Sequence, residues 1–146
     1  MKIIITGGVG YIGSHVVLAA LERGYDVTVF DDLSTSNKEN INLKTKFIHG
    51  SINSKDDLLK LFNSDKYEAV VHLAASKASG ESMVNSKKYT NNNIIGSLNL
   101  LISCIDHGIK NFIFSSSAAV YGNPKYLPID ELHPLQPTSY YGETKL

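Results

Sequence analysis

The sequence of 146 residues predicts an α/β fold, in which a parallel sheet of about five strands carries helices on both faces. Short runs rich in Val and Ile alternate along the chain with segments of helical periodicity. A glycine-rich turn follows the first run, and polar residues follow most of the later ones. Strands that are separated by helices pair in parallel, because antiparallel neighbours need only a tight turn whereas parallel neighbours need a crossover.

The first half of the chain contains four candidate strands and two candidate helices. Runs of β-branched residues predict strands at residues 2–6, 26–30, 46–49 and 69–73. A helix is expected from about Tyr11 to Arg23, with Gly24 just past its end. Ser54 followed by Asp57 resembles a capping box and predicts the start of a second helix between the third and fourth strands.

The second half begins with the clearest helical pattern, at about residues 91–107. Its apolar residues follow one stripe of a 3.6-residue period: Ile94, Ile95, Leu98, Leu101, Ile102 and Ile105. Residues 111–115 predict a fifth strand. All four prolines lie in residues 122–138, which predicts a long loop, and a last helix of about two turns begins at Thr138 or Ser139.

Composition excludes several classes of protein. Fourteen acidic and fourteen basic residues cancel, and no basic stripe points to nucleic acid. The apolar run near the N-terminus is too short for a signal peptide or a membrane span, so we expect a cytoplasmic chain with no membrane contact. The single cysteine, Cys104, cannot form an internal disulfide, so we expect a packed thiol in a reducing compartment. The five histidines show no metal-ligand spacing. The length predicts a single domain over residues 1–146.

The glycine-rich turn predicts a dinucleotide site. Gly7, Gly10 and Gly13 follow a strand and open a helix, so the backbone can approach a diphosphate and the helix can pack closely on the strand. The free N–H groups and the positive end of the helix favour the anion. A glycine triplet alone is a weak signal, and the simpler alternative is an ordinary turn.

The residue that ends the second strand predicts which dinucleotide binds. Asp31 lies about 20 residues beyond the glycines, where a carboxylate accepts hydrogen bonds from ribose hydroxyls and repels a 2′-phosphate. This favours NAD over NADP. Asp32 fits the alternative of a solvated loop acid better.

Tyr141 and Lys145 form a candidate acid–base pair, because residues at i and i+4 share one face of a helix. A tyrosine with a pKa near 10 is a poor base at neutral pH, and a neighbouring ammonium favours the phenolate. Ser117, in a serine cluster that closes the fifth strand, is expected to bond the reacting hydroxyl beside Tyr141. Alone, such a Tyr–Lys spacing usually marks a helix surface.

His72 ends the fourth strand among apolar neighbours, which favours a structural role.

Together these residues resemble the extended short-chain dehydrogenase/reductase family, and within it the UDP-glucose 4-epimerases. The resemblance extends from Lys2 to Leu146 and implies a Rossmann-like doubly wound sheet. Its most specific segments are TGGVGYIGSH at 6–15, HLAASKASGES at 72–82, NNI at 92–94 and FIFSSSAAVYG at 112–122. It implies that the pyrophosphate lies beside Tyr11 and Ile12, and that Lys77 and Asn93 reach the cofactor.

For the reaction, the resemblance implies an isomerase that epimerises UDP-galactose and UDP-glucose at C4 through a 4-keto intermediate, with NAD bound throughout and regenerated. Tyr141 would be the base, Lys145 its electrostatic partner and a ligand of the nicotinamide ribose, and Ser117 the hydroxyl partner. Galactose metabolism is the expected context.

Three alternatives stay open. A nucleotide-sugar 4,6-dehydratase or decarboxylase of the same family is one, although many of those carry an acid where this chain has Ala118 and Ala119. A single-domain NADP-dependent reductase is another, and Asp31 argues against it.

The chain departs from the family pattern at Gly50-Ser51, where the family has Gly-Asp with the aspartate near the adenine. This departure affects the contact to the adenine.

The third alternative is a non-catalytic NAD-binding fragment. The family continues for about as many residues again, adding further strands and a substrate lobe, so residues 1–146 would be an incomplete domain. The last helix is then expected to fray and to leave Lys145 disordered. The fifth strand would be an exposed edge, which predicts self-association into a homo-oligomer.

Overall fold

A computed structural model describes residues 1–146 and has a five-stranded parallel sheet at its centre. The strands are β1 (Lys2–Thr6), β2 (Asp26–Asp31), β3 (Lys46–His49), β4 (Ala69–His72) and β5 (Asn111–Phe114). Their order across the sheet is β3-β2-β1-β4-β5, so the chain winds outward from β1 in both directions. The predicted Rossmann-like doubly wound fold is therefore confirmed.

Six helices connect these strands or follow them. They are α1 (Tyr11–Glu22), α2 (Lys55–Asn63), α3 (Ser79–Val84), α4 (Ser86–Tyr89), α5 (Gly96–Asp106) and α6 (Tyr140–Glu143). A π-helical segment, Thr90–Ile95, joins α4 to α5. Ser54 caps α2 as predicted, because its Oγ accepts a hydrogen bond of 3.2 Å from the Asp57 N–H. No helix is long and apolar enough to cross a bilayer.

The core consists of two apolar layers, one on each face of the sheet. Ile3 and Ile5 of β1 face α1, and Ile4 between them faces the opposite layer with α2 and α5. This alternation follows from the two-residue period of a strand. Cys104 of α5 lies in the second layer, 1% exposed, and burial raises the pKa of its thiol to about 11, so the predicted packed thiol is present.

The helix predicted at residues 91–107 differs from the structure in extent and orientation. The π-helical segment replaces its first part, and α3 and α4 before it were not predicted. Gly96, Leu100 and Cys104 form the buried face of α5, whereas most of the predicted apolar stripe is exposed: Ile95, Leu98, Leu101, Ile102 and Ile105. Gly96 fits this orientation, because a Cβ there would lie 2.7 Å from the Ile52 side chain, so glycine lets this face of α5 approach the segment before α2 closely.

Candidate active site

A cleft of about 620 Å³ lies along the carboxyl edge of the sheet, where the reversal of winding between β1 and β4 opens a crevice. It is bounded by the turn after β1, the loops after β2, β3 and β4, the serines after β5, and α6. Ten of the eleven residues predicted for the site line it: Gly7, Gly10, Tyr11, Ile12, Gly13, Asp31, Lys77, Ser117, Tyr141 and Lys145. The topology therefore brings together residues that lie far apart in the sequence.

At two positions of the glycine turn the backbone packs too closely against other backbone atoms for any residue with a Cβ. Gly7 has a φ of +68°, and a Cβ there would lie 2.7 Å from the Ala74 backbone nitrogen. A Cβ on Gly13 would collide with the Gly7 carbonyl oxygen. No side chain caps the N-terminus of α1, whose first N–H groups follow Gly10 at the wall of the cleft. Such a turn fits a diphosphate, which approaches the bare backbone and the positive helix end.

Asp31 is buried at the end of β2 and organises the turn and the loop beside it. One carboxylate oxygen accepts a hydrogen bond of 3.0 Å from the Val9 N–H. The other accepts bonds of 2.8 Å from the Leu33 N–H and 3.1 Å from the Ser36 hydroxyl. Each oxygen can accept more than one bond, so the carboxylate can also receive ribose hydroxyls while it holds the turn. Its charge faces the cleft, which fits NAD better than NADP.

The last helix is ordered, contrary to the prediction that it frays, and it has one turn rather than two. Other elements and its own N-cap residue hold it. The Tyr141 N–H donates to the Ser82 Oγ at 2.9 Å, and the Ser139 Oγ accepts from the Gly142 N–H at 3.1 Å. The Ser116 hydroxyl donates to the Lys145 carbonyl oxygen at 2.7 Å. These bonds pair backbone N–H and C=O groups that a single helical turn leaves without partners. Tertiary contacts therefore stabilise α6, which is too short to be stable by itself.

Lys145 is buried rather than disordered, with 4% of its surface exposed. Its Nζ donates to the Ser115 carbonyl oxygen at 2.9 Å and lies 4.9 Å from the centre of the Phe114 ring. Burial lowers the pKa of the ammonium to about 8, so at pH 7 it is still mostly charged. The structure thus holds a cation on the wall of the cleft that Tyr141 also lines.

The three serines after β5 have separate roles. The Ser115 carbonyl and the Ser116 hydroxyl both bind Lys145. Ser117 lines the cleft, and its Oγ accepts a hydrogen bond of 3.2 Å from the Ala119 N–H. That bond orients the Ser117 side chain and leaves its proton for a ligand, as the predicted partner of Tyr141 requires.

His72 is structural, as expected from its apolar neighbours. It is 1% exposed, with its Nδ1 2.6 Å from the Thr6 hydroxyl and its Nε2 2.8 Å from the Ser97 hydroxyl. Burial first, and the charge of Lys145 second, lower its pKa to about 4. The imidazole is therefore neutral at pH 7 and ties β1, β4 and α5 together.

Asn93 does not line the cleft, although it was predicted to reach the cofactor. It is 3% exposed, and its amide binds Ser76 and Thr144, whereas its neighbour Asn92 does line the cleft. Glu81 and Lys88 also reach the cleft and pair at 2.7 Å. They were missed because α3 and α4 were missed; the serine and glycine before Glu81 were the only local signal of a helix start.

Comparisons with known proteins agree with this geometry. Residues 3–146 match the NAD dependent epimerase/dehydratase family. The UDP-glucose 4-epimerase of Corynebacterium glutamicum is 42% identical over 146 residues, which are 100% of this chain and 44% of that protein.

Two solved structures give the same result. The UDP-glucose 4-epimerase from Brucella ovis in complex with NAD has a TM-score of 0.94 at 38% identity, over 99% of this chain and 44% of that one. The enzyme from Thermotoga maritima with UDP-glucose has a TM-score of 0.94 at 41% identity, over 99% and 48%. The chain thus spans less than half the length of these relatives. With the fold, the glycine turn and these matches in agreement, the chain belongs to the NAD-dependent epimerase/dehydratase family, among the relatives of UDP-glucose 4-epimerase.

Proposed function

We propose that this chain provides the NAD site and the acid–base residues of an enzyme that interconverts UDP-galactose and UDP-glucose at C4. One observation carries the proposal: a single cleft joins the glycine turn and Asp31 to Tyr141, Lys145 and Ser117. The first two features suit a dinucleotide, and the last three suit proton transfer to and from a sugar hydroxyl. The similarity to UDP-glucose 4-epimerases supports this choice of substrate.

The residues present fit NAD. The backbone of the glycine turn would hold the diphosphate, with Tyr11 and Ile12 beside it, and Asp31 would receive the adenosine ribose. Lys77 and Lys145 lie on the β4 and β5 side of the cleft, where the nicotinamide half would extend. When bound, NAD supplies the reversible two-electron oxidation that makes C4 a ketone and restores it.

The chain's own residues would move the proton. Tyr141, as phenolate, takes the proton of the sugar 4-hydroxyl, and Ser117 donates a hydrogen bond to the same oxygen. The Lys145 ammonium lies on the same wall of the cleft and would stabilise the negative charge that Tyr141 carries in this step. After the 4-keto sugar turns over, Tyr141 returns the proton to the opposite epimer.

The dehydratase or decarboxylase alternative has less support. Ala118 and Ala119 form the short 3₁₀ turn that directly follows Ser117. No carboxylate stands at either position, so a proton carrier for elimination at C5 and C6 would have to come from elsewhere.

A chimera tests the proposed reaction. In the Corynebacterium relative, this chain replaces the matching 146 residues, and conversion of UDP-galactose to UDP-glucose is assayed. We expect turnover, a loss of at least about a thousandfold for Tyr141→Phe, and little change for Tyr140→Phe. Tyr140 is a matched control, because its hydroxyl contacts Thr90 instead of facing the cleft. A folded, NAD-loaded chimera without turnover would contradict the proposal.

For residues 1–146 alone we propose NAD binding without turnover, since they match less than half of each relative. Calorimetry with NAD and an assay with UDP-galactose test both parts. Turnover by the 146-residue chain would contradict the second part, and absence of NAD uptake by folded chain would contradict the first.

We also propose that the chain forms a homo-oligomer through the exposed edge of β5, as its sequence predicts. Ile113 is 61% exposed on this edge strand, and Phe114 beside it is 37% exposed. Light scattering during size-exclusion chromatography is expected to give more than a monomer mass, and Ile113→Lys is expected to lower it. A monomer mass for the unsubstituted chain would contradict this.

A further inference from the structure

Thr144 lies between Tyr141 and Lys145 and is nearly inaccessible, with 7% of its surface exposed. Its hydroxyl donates to the Tyr141 carbonyl oxygen at 2.8 Å and accepts from the Asn93 Nδ2 at 2.9 Å. The hydroxyl therefore joins the turn that carries both candidate catalytic residues to a second element of the fold.

That second element is itself held firmly. The Asn93 Oδ1 accepts a bond of 2.8 Å from the Ser76 N–H, and its Nδ2 donates one of 2.9 Å to the Ser76 carbonyl oxygen. Because the second Nδ2 proton goes to Thr144, the amide has no donor left for a ligand. Asn93 thus clamps the loop after β4, which lines the cleft, to α6.

Neighbouring asparagines of the π-helical segment have different surroundings. Asn92 faces the cleft and accepts a bond of 3.3 Å from the Asn53 Nδ2, while Asn93 points to Ser76 and Thr144. Single-turn π-helices inside longer helices often occur at functional sites. Here the π-helical segment carries Asn93, which contacts the C-terminal end of the α6 turn at Thr144.

We propose that Thr144 is a positioning residue, whose hydroxyl, held by Asn93, sets Tyr141 and Lys145 against the nicotinamide half of the cofactor. This inference rests on the proposed NAD site. A single helical turn is not stable by itself, so the placement of its residues depends on such contacts. Ser82 and Ser139 hold the start of the turn, whereas the Asn93–Thr144 bond and the Ser116–Lys145 bond hold its end.

The sheet order suggests a test that distinguishes a role of Thr144 in positioning Tyr141 and Lys145 from a role in the stability of the whole chain. Asp31 lies on the β2 side of β1, and α6 lies beyond β4 on the opposite side. ADP reaches only the first side, whereas NAD reaches both. Thr144→Val removes the hydroxyl at constant shape, Thr144→Ser keeps it, and Thr28→Val is the control, because the buried Thr28 hydroxyl has no partner.

Calorimetry on the 146-residue chain then gives the Kd of NAD and of ADP for each variant, with circular dichroism to verify folding. We expect Thr144→Val to weaken NAD binding about tenfold, which is 1.4 kcal/mol, and to leave ADP binding unchanged. Thr144→Ser and Thr28→Val are expected to stay within about threefold of the unsubstituted chain for both ligands.

Equal losses for NAD and ADP, or no loss for NAD, would overturn the proposal. So would loss of the fold in both Thr144→Val and Thr144→Ala with Thr144→Ser intact, because the hydroxyl would then be a structural group. If the unsubstituted chain binds no NAD, the proposed function fails first, and the proposed positioning role fails with it.

Discussion

At the scale of single residues, the carboxyl ends of the strands carry buried polar groups whose hydrogen bonds are satisfied. Asp31 binds two backbone N–H groups and a hydroxyl, and His72 binds two hydroxyls. Buried polar groups are stable only when they are paired, so each of these side chains fixes its neighbours. Their substitution consequently tests both the site and the fold.

Replacement of Asp31 by Asn is expected to reduce the preference for NAD. The change removes the charge that repels a 2′-phosphate and one of the two acceptor oxygens that hold Val9 and Leu33. Calorimetry should give NAD binding weakened about tenfold and a smaller ratio of NADP to NAD dissociation constants. Asp26→Asn, the same change at the opposite end of β2 and outside the cleft, is the control. An unchanged ratio would contradict the role of Asp31.

The stability of the chain is expected to fall between pH 6.5 and pH 4 because of His72. Its pKa is about 4 in the folded chain and 6.5 in the unfolded one, so in this window only the unfolded chain takes up the proton. The contribution is fully present above pH 6.5, and about 3 kcal/mol is lost by pH 4. Urea unfolding of the chain and of His72→Gln, which does not titrate, measures it. Parallel pH profiles for the two would show that His72 is not responsible.

At the scale of elements, α5 and α6 depend on tertiary contacts in different ways. α5 packs through a face on which Gly96 allows close approach to Ile52. α6 has a single turn and stays in place through bonds from Ser82, Ser116 and Asn93, the last through Thr144. In both cases the helix pattern is local, but the orientation is decided by residues distant in the sequence.

Two leucines of α5 test which face is buried. Leu100 is fully buried, so Leu100→Ala is expected to lower the free energy of unfolding by about 2–5 kcal/mol. Leu98 belongs to the apolar stripe and is 52% exposed, so Leu98→Ala is expected to cost less than about 1 kcal/mol. Urea denaturation of both variants decides between the structure and the orientation that the stripe predicts. Similar losses for both would contradict the structure.

At the scale of the whole molecule, the cleft draws on the segments that follow all five strands. Ligand binding there stabilises contacts between segments from the first turn to the last helix. The proposed cofactor should therefore act as a ligand that stabilises the folded chain as a whole.

NAD at about a hundred times its Kd is expected to add roughly 2.7 kcal/mol to the free energy of unfolding. For a chain of this size, that raises Tm by about 5–10 °C. Scanning calorimetry measures the shift, with NADP at the same concentration as the control, for which Asp31 predicts a smaller effect. Equal shifts for NAD and NADP would contradict the assignment of the cofactor.

Much of this fold was determined by local sequence. Local sequence predicted all five strands to within one residue at each end, and the glycines and Asp31 that it singled out line the cleft. Local sequence can predict such features because strand propensity, turn glycines and capping residues act on neighbouring residues of the chain. Ten of the eleven predicted site residues meet in one cleft for a different reason, because the carboxyl ends of parallel strands all lie at one edge of the sheet.

Only the tertiary structure decided which face of α5 is buried, that Lys145 is held rather than frayed, and that Asn93 binds Thr144 instead of facing the cleft. An apolar stripe gives the period of a helix but not its partner, because packing depends on shape, here on Gly96 against Ile52. The hydrogen bonds that hold α6 join residues about fifty positions apart, and no local pattern contains them.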